Sequence, residues 1–156
     1  MQYKNKDTFG MHEEGNVVNF GEFQTYLDET YPEHNLDVNR DFVSRMKDIA
    51  LDCYMASFKT LNPAKRRNSF ELFGFDFMID EDFRTWLIEV NTNPQLFIKN
   101  SGMKHVTPKM FDDLFDIVLD PVFDRMTQEE KNAKIDNGNF DLLYSRSRSI
   151  NKRRPL

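Results

Sequence analysis

Between residues 70 and 94 the chain alternates apolar and polar positions with a period of two. Phe73, Phe75, Phe77 and Ile79 are separated by Gly74, Asp76 and Met78, which predicts a strand over about 70–80. A second strand is predicted over 85–91, Thr-Trp-Leu-Ile-Glu-Val-Asn. The acidic residues between them suit a four-residue hairpin loop in which Asp80 pairs with Thr85. That register sets Asp76 opposite Glu89, Gly74 opposite Asn91 and Met78 opposite Leu87. The other face then carries Phe73, Phe75, Phe77 and Ile79 against Thr92, Val90, Ile88 and Trp86.

The flanking segments read as helices. Phe20, Phe23, Tyr26 and Leu27 fall at helical spacing, and Tyr31-Pro32 ends that helix near Glu29. Asp37 or Asn39 is placed to cap a longer helix reaching about Lys59. Its stripe is Phe42, Met46, Ile49 and Cys53, widened by Val43, Ala50 and Met55. Asn62-Pro63 stops it. Thr107-Pro108 has the form of a helix start, followed by Met110, Phe111, Leu114, Ile117 and Val118. Pro121 ends or kinks this helix, and Thr127 with Glu130 suits a capping box for one more. From about Asn137 the chain reads as loose. The fold class expected is α+β, an antiparallel sheet backed by helices.

Composition narrows the function classes. A chain of 156 residues with 39% hydrophobic residues suffices for one domain with a core. No apolar run approaches the length of a membrane span. The single Cys53 excludes an internal disulfide and a cysteine zinc site, and points to a reducing, cytosolic compartment. Cys53 itself reads as a core residue. His12 and His34 have no partner at ligand spacing. The net charge of −5 is uneven. Residues 1–37 hold eight acidic and two basic side chains, whereas the last twelve residues hold Arg146, Arg148, Lys152, Arg153 and Arg154 and no acid. Lys65, Arg66 and Arg67 form a second, short basic run. A basic tail suits an acidic partner or simply solubilises the chain.

The face with Asp76, Glu89 and Asn91 is the candidate for chemistry. Like charges directly opposed on an antiparallel pair destabilise it. A hard divalent cation relieves that repulsion, and Mg²⁺ is usually held by one or two carboxylates together with substrate phosphates. Asn91 offers a neutral third oxygen. Gly74, with no side chain, leaves room for a ligand to approach. A solvated acidic hairpin is the plain alternative.

These residues also carry a resemblance. Phe70-Glu71-Leu72, Gly74 and Asp76, followed thirteen residues after that Asp by Glu89-Val90-Asn91, resemble the end of the catalytic domain in tubulin–tyrosine ligase-like proteins. Trp86-Leu87-Ile88 before the glutamate fits as well. The stretch 9–23, with Glu13-Glu14-Gly15-Asn16 and Phe20, is similar to another family segment, so that the resemblance spans about residues 2–125. It implies that residues 1–136 are the C-terminal part of an ATP-grasp domain, and the loose, basic composition beyond makes 137–156 a disordered tail. It implies ATP and Mg²⁺ as cofactors, with Asp76, Glu89 and Asn91 as metal ligands and Ile88 lining the nucleotide base pocket. The reaction implied is ATP-dependent ligation of tyrosine, glutamate or glycine to a protein, with tubulin's acidic C-terminal tail, and no nucleic acid, as partner. The protein would then act in the cytoplasm, at the cytoskeleton or in the cilium. The family's other lobe, with phosphate-binding lysines, is expected N-terminal to Met1. A non-catalytic module holding an acidic tail through its basic end, and a ligase of small molecules, are the other readings.

Overall fold

The computed structural model describes residues 17–66, 69–98, 101–120, 122–123 and 138–145. Along these the order is helix α1 (Phe20–Thr30), short turns at Pro32–His34 and Val38–Val43, helix α2 (Ser44–Leu61), strands β1 (Gly74–Ile79) and β2 (Thr85–Asn91), and helix α3 (Ser101–Val118). The class is α+β, with one two-stranded antiparallel sheet among the described residues. Its chain contacts divide it into two units, Met1–Met46 with Phe73–Lys109, and Lys47–Leu72 with Met110–Leu156.

In the first unit, α1 starts on a reciprocal cap. Asn19 Oδ1 accepts from the Glu22 amide at 2.9 Å, and the Glu22 carboxylate accepts from the Asn19 amide at 2.7 Å, satisfying two otherwise orphan donors. The next helical segment begins at Asp37, as the sequence suggests, because its carboxylate accepts from the Arg40 amide at 2.7 Å. Its first turn, Val38–Val43, is wound as a π-helix before α2 continues. That widening accompanies the burial of Val38 and Phe42, which join Leu27 as the unit's buried cluster. Ile79 and Phe83 of the hairpin pack on this cluster. Phe83 takes a left-handed backbone, φ 61°, and its ring meets Tyr31 at 5.1 Å and His34 at 4.9 Å. His34 is thus an exposed surface residue with an aromatic neighbour.

In the second unit, Met46's successors on α2 carry the expected stripe onward. Ile49 and Cys53 are half-buried, whereas Met55 is exposed. Residues 138–145 form no helix or strand but are held by side chains. The buried Asp113 carboxylate accepts from the Asn139 backbone amide at 3.0 Å and from its side-chain amide at 2.9 Å. Lys47 pairs with Asp141, and Tyr144 packs on Tyr54 at 5.7 Å.

Two boundaries differ from the sequence expectation. Helix α3 begins at Ser101 rather than at Thr107, and holds Pro108 inside it. Half-buried Met103 and buried Thr107 continue upstream, at helical spacing, the stripe of half-buried Met110 and buried Leu114, and that burial offsets the hydrogen bond that Pro108 cannot donate. Strand β1 begins at Gly74, not near Phe70, because its partner strand ends at Asn91, opposite Gly74. His12, the segment 13–16, the Thr127–Glu130 capping box and the basic tail from Arg146 lie outside the described residues. Among the described residues no helix is long and apolar enough to cross a membrane.

Candidate functional site on the β1–β2 hairpin

The strands pair Gly74 with Asn91, Phe75 with Val90 and Asp76 with Glu89. The predicted opposition of the two carboxylates is therefore present. Beyond it the register slips. Phe77 pairs with Leu87, Met78 with Trp86 and Ile79 with Thr85, which leaves Ile88 as the unpaired residue of a β-bulge. This corrects the expected pairing of Met78 with Leu87 and of Asp80 with Thr85. It also exchanges faces. Leu87 joins Phe75, Phe77 and Ile79 on the packed side, while Trp86 and Met78 share the side of the carboxylates and are 55% and 60% exposed. Ile88 is itself exposed.

The bulge follows from the loop. The Asp80 amide donates to the Arg84 carbonyl at 3.0 Å, and Asp80 Oδ1 accepts from the amides of Asp82 and Arg84 at 3.0 and 2.8 Å. Asp80 Oδ2 accepts from the Trp86 indole at 2.7 Å. Five residues, 80–84, thus lie between the paired Ile79 and Thr85. Hydrogen bonding from Trp86 first, and then from the Arg84 amide, holds the Asp80 carboxyl below its ordinary pKa.

At the other end of the hairpin, Asn91 joins the two acids. Its side-chain amide donates to Asp76 Oδ2 and to Glu89 Oε1, both at 3.2 Å. The two N–H bonds bring the positive end of a dipole between opposed carboxylates and offset part of their repulsion. Among the described residues neither acid pairs with a Lys or Arg. A hollow of about 480 Å³ opens here, lined by Gly74, Asp76, Glu89 and Asn91 and by Asn93 and Gln95 from the following turn. Ile88 is not on its wall.

Gly74 plays a different part from the one its sequence position suggests. A Cβ built there would lie 2.8 Å from the Cβ of Pro94. The space that glycine leaves is filled by Pro94 and not left for a ligand. This contact seats the turn that carries Asn93. Sequence reasoning missed Asn93 and Gln95, since an Asn-Pro pair reads only as a turn signal.

The donor set suits a hard cation. Two carboxylates and an amide oxygen are the ligand types Mg²⁺ takes when phosphate oxygens and water complete its shell. Among the described residues no group of three or more His, Cys, Asp or Glu side chains converges, so that a closed all-protein cage is absent there.

Residues 2–129 match the model of the tubulin-tyrosine ligase family. The chain belongs to this family. The chain is also similar to individual proteins. It is 35% identical over 122 residues to tubulin glycylase 3A of Drosophila melanogaster, covering 78% of this chain and 11% of that protein. It is 31% identical over 104 residues to protein polyglycylase TTLL10 of Mus musculus, covering 67% of this chain and 14% of the relative. Protein monoglycylase TTLL8 of Mus musculus is 35% identical over 79 residues, 51% of this chain and 8% of the relative. The chain thus spans about a tenth of the length of these family members.

Proposed function

We propose that this chain supplies the metal- and nucleotide-binding half-site of an ATP-dependent ligase that adds an amino acid to tubulin. The observation that carries the reading is the opposition of Asp76 and Glu89 with Asn91 bonded to both, in a chain of the tubulin-tyrosine ligase family. Residues 1–136 are the C-terminal part of an ATP-grasp domain in this reading, and 137–156 are a basic tail. The other phosphate-binding groups belong to the remainder of a longer protein, which the small share of each relative covered supports.

Asp76 and Glu89 would hold Mg²⁺ through carboxylate oxygens, Asn91 would turn its amide away from its present N–H bonds to the two acids to offer a neutral oxygen, and Ile88 would lie against the nucleotide base. Held there with ATP, Mg²⁺ would supply charge neutralisation at the phosphates for activation of a carboxylate toward an amine. The names of the relatives favour glycine as the amino acid and tubulin as the acceptor. The acidic C-terminal tail of tubulin complements the basic end of the chain, and such a protein acts in the cytoplasm, at the cytoskeleton or in the cilium.

The test uses the full-length protein. Incorporation of labelled glycine, glutamate or tyrosine into tubulin is measured with ATP and Mg²⁺, for the wild type and for Glu89→Gln. Glycine is the expected label, and Glu89→Gln is expected to abolish incorporation with the melting temperature retained. Wild-type turnover in Glu89→Gln overturns the assigned role. Robust activity of the 156-residue chain by itself overturns the half-site.

A further inference from the structure

Asn93 stands on the wall of the same hollow as Asp76, Glu89 and Asn91. Among the described residues its carboxamide makes no hydrogen bond, and the residue is exposed. The contrast with Asn91 is direct, since both donor hydrogens of that amide are engaged by the two acids. Asn93 is also firmly seated. The next residue, Pro94, has a fixed φ, and its ring rests where a side chain on Gly74 would otherwise be. The Asn93 amide is thus set beside a carboxylate pair by a turn whose Pro94 ring packs close against Gly74.

The residue type matters here. Two carboxylates alone repel an anionic ligand. A lysine in this place would be captured by Asp76 or Glu89, whereas a neutral amide donates to an anion without being neutralised by its neighbours. We propose that Asn93 is a substrate-contacting residue of this site, its side-chain N–H donating to an anionic oxygen of the ligand that occupies the hollow. That oxygen belongs to a phosphate of the nucleotide or to the carboxylate of the acceptor. The inference rests on the metal–nucleotide reading of Asp76, Glu89 and Asn91.

The test compares Asn93→Leu, which keeps the volume and removes the donor, with wild type and Glu89→Gln in the full-length protein. Two quantities are measured: the dissociation constant of a fluorescent, non-hydrolysable ATP analogue with Mg²⁺, and the KM for tubulin. Losing a hydrogen bond to a charged group should raise one of them about tenfold or more, with kcat nearly unchanged. A rise in the analogue's dissociation constant assigns the contact to phosphate. A rise confined to KM for tubulin assigns it to the acceptor carboxylate. Asn93→Ser, with a shorter reach, is to show the same direction and covers the case in which leucine lowers the melting temperature. If neither quantity moves in either variant while Glu89→Gln has lost analogue binding, the proposal is overturned and the site reading stands. If Glu89→Gln binds the analogue and turns over as wild type does, the site reading falls and this inference falls with it.

Discussion

The Trp86 indole donates to Asp80 Oδ2 at 2.7 Å, tying the first residue of the hairpin loop to the second residue of β2. The same carboxylate accepts two loop amides through Oδ1. These bonds favour the ionised acid, and the Asp80 pKa is lowered with Trp86 as the largest cause. A depressed folded-state pKa contributes stability that is fully present above the unfolded value, about 3.9, and is lost as the pH falls through the folded value. Urea melts from pH 7 downward should therefore show wild type losing stability below about pH 4, and Trp86→Phe losing less over the same interval. Equal acid slopes for the two proteins would remove Asp80 from the account.

Gly74→Ala should destabilise the first unit by about 1–3 kcal/mol, the usual cost of forcing an extra carbon into a packed place. The added Cβ meets Pro94 at 2.8 Å, and Pro94 cannot swing aside as a long side chain would. Asn91 is the strand partner of Gly74, so the variant should also weaken Mg²⁺–ATP analogue binding. A melt indistinguishable from wild type would mean that the turn yields freely.

Two phenylalanines should separate sharply in stability. Phe42 is 1% exposed in the cluster with Leu27 and Val38, and Phe42→Ala should cost about 3–5 kcal/mol. Phe75 on the packed side of β1 is only half-buried. Phe75→Ala should therefore cost only about 1–2 kcal/mol, in proportion to the area removed from water. Chemical denaturation of the pair decides the ranking.

Asp76→Asn should change stability in metal-free buffer by no more than about 0.5 kcal/mol. The substitution gives up a charged acceptor for Asn91 at 3.2 Å and at the same time removes a like charge opposite Glu89. In wild type, added Mg²⁺ should raise the melting temperature by binding the folded state, and this rise should vanish in Asp76→Asn. A large loss without metal would make Asp76 a structural residue.

Much of the hairpin was legible because side-chain period is a local property. The bounds of β2 and the pairing of Asp76 with Glu89 follow from alternation and spacing. The slip at Ile88 does not, since a bulge leaves the alternation of each strand intact on either side and is decided by the hydrogen bonds Asp80 makes in the loop. Likewise Thr107-Pro108 has the local form of a helix start, but the packed stripe through Met103 extends the helix past it. Asp37 announces its cap through a single side chain, whereas the π-wound turn after it depends on what Val38 and Phe42 bury. The use of Gly74 and Pro94 was invisible for the same reason: it is a contact across the end of the sheet, and spacing along the chain carries no record of it.

The bulge at Ile88 has an optical consequence. By moving Trp86 to the side of Asp76 and Glu89, it places the chain's single tryptophan one pair beyond them on the same face, roughly 7 Å along the strand. An exposed indole so close to a pair of acids emits from the very surface that a metal or nucleotide would cover. Intrinsic tryptophan fluorescence of the 156-residue chain therefore reports on that surface.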